Sequence, residues 1–439
     1  MLGKTANQNQ YNLFNPLLKE FIDPSHELVK LAEAIGWKSL ENTFAPLYSS
    51  TGRPAKPVRL MVGLLIIKHM YNFSDETLVR AFVSNPYYQH FCGAATFQWC
   101  PPCDPSDLVH FRKRLGPEGI EQFFKLSINL FSHEVKQAQR LLVDTTVQEK
   151  NITYPTDNKL QTKIIKKCWK IAKKEGITLR QSYSRTVKKL QVQLRFSHHP
   201  KRKKQASKAA RRLKTIAGRL FRELRSKLRA DRRLFYQEAL STFSKVLDQK
   251  PQSKNKVYSL HEPSVSCIAK GKRHKPYEFG NKIAIATLPG SNLIVGIGSF
   301  NGNPHDSTTL CTTLMQVERM TQKHFKYVVA DRGYTGAKGL GKVNLVTPNP
   351  IKDKTLSRYQ RDKKRKLCCS RAAIEPIIGH MKSSYRMGRN YLKGACGDLM
   401  NALLAAAAFN FNKWMQFFYQ ILQAFFLKLR LQLSINPPF

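Results

Sequence analysis

Apolar positions crowd the stretch Arg59–Asn72 too densely for a solvated strand, and over a length that suits a helix with a buried face. Ser74 follows as the N-cap of a second helix, because its hydroxyl can accept a bond from an unpaired first-turn N–H. Ser106 is placed to cap a third, Asp107–Leu115, which Gly116 stops. Further along, the period shortens. Leu141–Val147 reads as a β-branched strand, and Lys282–Leu288 with Asn292–Ser299 reads as a hairpin across Pro289-Gly290-Ser291. A helix Ser307–Thr321 follows with Asp306 as its expected N-cap, then strands Tyr327–Asp331 and Val343–Thr347. Helices close the chain, from Ser370 to Lys382 and from Asp398 onward. The order β-β-β-α-β-β-α-α predicts an α/β fold, a mixed sheet flanked by helices, behind an all-helical N-terminal domain.

Charge changes the picture. Lys and Arg total 74 against 29 Asp and Glu, a net +45 over 439 residues. So large an excess makes a compact chain repel itself and calls for a polyanionic partner. The third of the short N-terminal helices carries Arg112, Lys113 and Arg114, so those helices have the form of a DNA-reading module; a plain helical domain with a charged exterior is the alternative. Between Lys159 and Arg233 stand 27 basic residues and 3 acidic ones. Trp169, Leu190, Leu213, Leu220, Leu224, Leu228 and Phe235 recur there at helical spacing, which predicts a basic helical insertion lying along phosphates. A membrane-surface or calmodulin-binding helix would share that pattern.

The longest apolar tracts, Leu60–Ile67 and Ala402–Phe409, fall short of the roughly 18 residues of a membrane span. No membrane role is expected. Polar residues interrupt the oily stretch Asn401–Leu429, which reads as a helix packed on protein or on a second subunit. Nine scattered cysteines and an N-terminus without an apolar run point to a reduced, cytoplasmic protein. Cys100-Pro-Pro-Cys103, near His90 and Cys92, lacks the two regular pairs that structural zinc usually needs. The expected domains are 1–135, the helical DNA-binding part; 136–155, the first strand of the catalytic core; 156–275, the basic insertion; 276–420, the rest of the core; and 421–439, a tail.

Three acids stand out against this framework. Asp144 and Asp331 lie in apolar strands, where an ionised carboxylate is costly without a counter-charge, and the two together hint at a shared cation. The hard oxygen donors suit Mg²⁺. On a helical wheel with Arg371 as origin, Glu375 falls at about 40° and Lys382 at about 20°, next to an apolar stripe that includes Ile374 and Ile377. That arc would aim one acid and two bases at a single point. An Arg371–Glu375 ion pair on a solvated face is the bland alternative, and Pro376 demands a first-turn position or a bend.

Asp144 in LLVDTT, Asp331 in VVADRGYTG and Arg371, Glu375 and Lys382 in RAAIEPIIGHMK together resemble the signature of DDE-type bacterial insertion-sequence transposases, most of all the "insertion sequence five" group. The segments Gly52–Glu76 and Cys103–Gly116 resemble that group's N-terminal region. The resemblance implies an RNase H-like core in which Asp144, Asp331 and Glu375 hold two metal ions, Mg²⁺ with Mn²⁺ able to substitute, and Arg371 and Lys382 contact transposon-end DNA. It implies cleavage at the element's ends, joining to target DNA and a homo-oligomer assembled on that DNA in the bacterial nucleoid. A catalytically silent DNA-binding protein and a host nuclease of the same fold are the competing readings. Cys368 stands where some relatives carry a tyrosine, and His305-Asp306 is similar to a pair that precedes the core helix in relatives.

Overall fold

The apolar run around Leu141–Val147 forms the middle of a longer strand, β1 (Arg140–Lys150), in a computed structural model that describes residues 2–3, 15–195, 197–250, 252–271, 273–348 and 356–435. The other strands are β2 (Ser266–Ala269), β3 (Tyr277–Thr287), β4 (Ile294–Phe300), β5 (Tyr327–Val329), β6 (Asn344–Val346) and β7 (Arg389–Asn390). They make one mixed sheet in the order β2-β3-β1-β5-β6, with β4 beside β3 and β7 beside β1. The expected hairpin is present, β3 and β4 being antiparallel, while β1, β5 and β6 run parallel. The short β2 and β7 carry too few alternations to show in the sequence pattern.

Two compact units emerge, Met1–Glu149 with Asn281–Phe439, and Lys150–Gly280. In the first, the N-terminal helices and the sheet share one apolar core, so the expected division near 135 is not marked by a break in packing. The helices there outnumber the three expected ones and include Glu27–Ala34, Trp37–Phe44, Val58–Met70, Asp75–Ser84 and Pro105–Asn129. Ser74 caps its helix as expected, accepting from the Thr77 N–H. Ser106 does not cap the next one. Asp104 does, accepting from the Ser106 N–H at 2.8 Å, with Pro105 in the first turn where its missing N–H costs nothing. Gly116, at φ +62°, breaks the helix, but Pro117 restarts it at once toward Asn129.

The C-terminal helix, Gly394–Ile435, lies against β4 and shields its outer edge. Buried Asn410 accepts from the Ile294 N–H at 3.1 Å and donates to the Ile294 carbonyl at 2.8 Å, satisfying edge groups that would otherwise template another strand. The helix runs past 420 without interruption, so no separate tail begins there. The expected packing of Asn401–Leu429 lies, beyond Tyr419, outside the described residues. The helix Asp306–Thr321 also packs on β4. Gly296 permits it, since a Cβ there would stand 2.4 Å from the Val317 Cγ2.

The second unit is helical and basic. Asp157–Lys174, Ser184–Leu194, Lys203–Lys227 and Gln237–Asp248 bury Ile164, Leu213, Leu220, Leu224 and Phe243 together. Trp169 and Phe235, expected on that apolar stripe, are instead exposed. The Trp169 indole N–H donates to the Ser182 carbonyl, and the Arg232 guanidinium covers the Phe235 ring. No helix among the described residues is long and apolar enough to cross a membrane.

Candidate active site

The site begins with strand register. Parallel pairing matches Arg140 with Tyr327, Leu141 with Val328 and Leu142 with Val329. Continued two residues, the same register sets Asp144 beside Asp331, on neighbouring strands about 4.8 Å apart. Asp331 lies just past the end of β5 and caps a short 3₁₀ turn, Arg332–Tyr334, by accepting from the Gly333 N–H at 2.9 Å. Asp144 accepts from the Thr145 N–H at 2.7 Å and from Arg371 Nη1 at 3.1 Å. Burial pushes the Asp144 carboxyl above the usual range, and the nearby charges of Asp331 and Asp306 add to this against the opposing pull of the Thr145 N–H and Arg371.

Asp306 belongs to the same cluster. The N-cap of its helix is His305, whose ring accepts from the Ser307 N–H, so the expected capping role of Asp306 is corrected. Its carboxylate instead accepts from Thr145 Oγ1 at 2.8 Å and from Lys282 Nζ at 3.0 Å. A Cβ placed on Gly333 would meet Asp306 Oδ2 at 2.9 Å and Asp331 Oδ1 at 3.0 Å, so the two carboxylates approach over a glycine that leaves them room. Tyr334 is fully buried beside these acids, and its hydroxyl has no hydrogen-bond partner among the described residues. Burial and the three aspartates together push that phenol far above its usual range. The sequence pattern did not single out Lys282, Thr145 or Tyr334. The available signal is a lysine at the head of the apolar run Ile283–Ala286 of β3, where the strand is buried.

Arg371 and Glu375 do not share one regular helix. A helix Arg358–Cys369 passes into a 3₁₀ turn, Ser370–Ala373, and a new helix runs Ile374–Ser383. Pro376 thereby sits in a first turn, the only helical place that tolerates its missing N–H and ring. The 100° spacing therefore fails between Arg371 and Glu375, and the expected common arc is not formed. Arg371 reaches Asp144, whereas Glu375 is exposed and makes no bond with Asp144 or Asp331 among the described residues. Lys382 is half-buried on the helix of Glu375.

Asp144 and Asp331 fit a divalent cation as adjacent hard-oxygen donors. The third acid is not gathered with them, and among the described residues no three His, Cys, Asp or Glu side chains stand in a metal-holding arrangement. Of the N-terminal basic residues, Lys113 and Arg114 are exposed, with the Arg114 guanidinium 4.6 Å from the Tyr48 ring centre. Arg112 is buried and forks onto Asp75 at 3.0 and 2.8 Å.

A mixed sheet whose parallel strands bring two aspartates together, flanked by helices, is an RNase H-like α/β fold. Residues 16–114 match the family described as "Transposase domain (DUF772)", and residues 241–411 match "Transposase DDE domain". The second match begins within the Lys150–Gly280 unit, and the strand bearing Asp144 precedes it. The chain is also 42% identical over 192 residues to "Uncharacterized protein ORF8 in nfe locus" of Rhizobium meliloti, covering 43% of this chain and 93% of that protein. No solved structure matches it. The chain belongs to the DDE transposases.

Proposed function

We propose that this transposase, of the insertion sequence five group, binds the terminal inverted repeats of its element. It cuts DNA strands at the ends and joins the freed 3′-hydroxyl to target DNA, acting as a homo-oligomer on that DNA. The observation that carries the reading is the β1–β5 register that seats Asp144 beside Asp331. Glu375, exposed and not gathered with the two aspartates in this structure, is the third acid of this reading, and Mg²⁺, with Mn²⁺ as substitute, is the cation that hard carboxylate donors suit. When bound, a pair of such ions supplies activation of water or of a 3′-hydroxyl and stabilises the leaving oxygen. Arg371 and Lys382 hold backbone phosphates, and Arg371 also tempers the repulsion between the two aspartates. Lys113 and Arg114 supply phosphate contacts from the N-terminal helices. Arg112, sealed against Asp75, holds the helix that presents them.

Terminal-repeat DNA, Mg²⁺ and a target plasmid incubated with the protein test this directly. Joined products are expected. Cut products alone would make the chain a nuclease, and a gel shift alone a silent DNA binder. Asp144→Asn, Asp331→Asn and Glu375→Gln are each expected to abolish cleavage while duplex binding stays within about threefold. Ordinary cleavage by any one of them removes that residue from the catalytic set.

A further inference from the structure

The insertion carries a feature that a simple phosphate track does not need. On the helix Lys203–Lys227, residues 211, 214, 215, 218, 221, 222 and 225 recur at intervals of three and four and so form one stripe. On Gln237–Asp248, residues 237, 240, 241, 244, 247 and 248 do the same. The two stripes line a pair of clefts, of about 430 and about 710 Å³, which share Phe221, Arg225 and Ser244. From Arg211 to Arg225 the first stripe extends about 21 Å at 1.5 Å per residue.

The chemistry of the clefts is divided. Phe221, Leu240 and Leu247 form an apolar floor. Arg211, Lys214, Arg222, Arg225 and Arg233 stand around it, against a single acid, Asp248. Ser241, Ser244 and Gln237 add hydrogen-bonding groups, and Leu234 projects at the lip, 71% exposed. Duplex DNA offers phosphates but keeps its base faces stacked, so it has nothing to set on an apolar floor. An unpaired strand offers both an anionic backbone and flat apolar bases.

We propose that this groove binds single-stranded DNA, with bases on the Phe221–Leu240 floor and phosphates on the flanking arginines. The proposal rests on the reading that the chain acts on DNA strands, and it assigns the unpaired part of that substrate to the insertion. An acidic amphipathic peptide is the occupant that the basic rim would otherwise suit; five cations, the lining hydroxyls of Ser241 and Ser244 and a transposase fold favour the nucleic acid.

Fluorescence anisotropy with full-length protein tests it, using a labelled 20-residue oligothymidylate and a 20-base-pair duplex. Asp144→Asn serves as the background, without metal, so that no strand is cut. Ser244→Phe, which fills the space common to both clefts, and Leu234→Ala, at the exposed lip, are each expected to weaken oligothymidylate binding about tenfold and about fivefold respectively. Duplex affinity is expected to change less than twofold. Arg225→Ala is expected to lower the single-strand salt slope by about 0.7. Unchanged oligothymidylate binding by Leu234→Ala and by a Ser244→Phe protein with wild-type thermal unfolding would overturn the proposal, as would a parallel loss for duplex and single strand. Because these readings need no catalysis, their failure leaves the strand-joining proposal standing, and loss of joining leaves them interpretable.

Discussion

Arg371 donates from Nη1 to Asp144 Oδ2 across 3.1 Å, joining a 3₁₀ turn late in the chain to the strand that opens the sheet. The guanidinium is a counter-charge for a carboxyl that burial and two neighbouring aspartates push above its usual range. Removing it lets Asp144 hold its proton to still higher pH. An acid with a raised folded-state pKa is carboxylate only above that value, so the acidic limb of the cleavage–pH profile is expected to move to higher pH in Arg371→Ala. Arg371→Lys, which retains a point charge, is expected to move it less. An acidic limb that coincides with wild type in both variants would mean that Arg371 acts only on DNA.

The bond from Lys282 Nζ to Asp306 Oδ1 leads to a second expectation. Lys282 is buried, and its ammonium also donates to the Pro304 carbonyl at 2.6 Å. Asp306→Ala strips the charge partner from this lysine and the acceptor from Thr145, and is expected to cost about 2–3 kcal/mol in urea unfolding. Lys282→Met in the same chain removes the stranded charge and is expected to recover part of the loss. A double variant no more stable than Asp306→Ala would show that the pair is not the source of the cost.

What the sequence made legible, and what it hid, follows from range. Asp144 and Asp331 were readable because a carboxylate in an apolar strand is a local contradiction. Their adjacency needed the parallel register, which only the folded sheet provides. The expected Arg371–Glu375 arc assumed one regular helix, and the backbone chose a 3₁₀ turn that lets Pro376 open the next helix. Asp306 looked like an N-cap by position, but Lys282, 24 residues earlier, claims its carboxylate and leaves capping to His305. Asp104-Pro105 is the stronger start signal than Ser106, a capping acid followed by a proline whose missing N–H costs nothing in a first turn. Arg112 looked like part of a basic surface because the acid that buries it comes from another helix, 37 residues away.

That half-buried Asp75 carboxylate is shared by Arg112 and by Lys68 Nζ, the latter at 2.7 Å. Burial, and then the Arg112 charge, bring the Lys68 ammonium down to about 8 against the pull of Asp75. Between pH 8 and the ordinary lysine value the unfolded chain holds a proton that the folded one lacks, so stability is expected to rise with pH across that window, by about 2–3 kcal/mol. Asp75 gives a slope of the same sign at the acid end of the range. Burial acts to raise it, but the Arg112 bonds and both cations outweigh this and hold it at about 2. Its contribution, about 1–2 kcal/mol after screening, is complete above the ordinary carboxylate value and is lost as pH falls toward 2. Urea titrations of wild type and Lys68→Met separate the two, since the alkaline rise should vanish in the variant and the acid loss should persist. An alkaline rise that survives in Lys68→Met would place its origin elsewhere.

The exposed lysines of the insertion carry the last expectation. Lys166, Lys170 and Lys173 stand at intervals of four and three on the helix Asp157–Lys174, all exposed, while Ile164, Ile165, Cys168 and Ala172 face the core. Such a face costs the fold little to keep, since its charges stay in water, and it gains its free energy only when condensed counterions leave a bound duplex. Each lysine seated on a phosphate contributes about 0.9 to the slope of log affinity against log salt, so replacing all three with glutamine is expected to flatten the duplex slope by up to about 2.7. The effect should be uniform across DNA sequences, because phosphates carry no base identity. A slope equal to wild type would turn this helix face away from the duplex, and a sequence-dependent loss would make it a reader of bases instead.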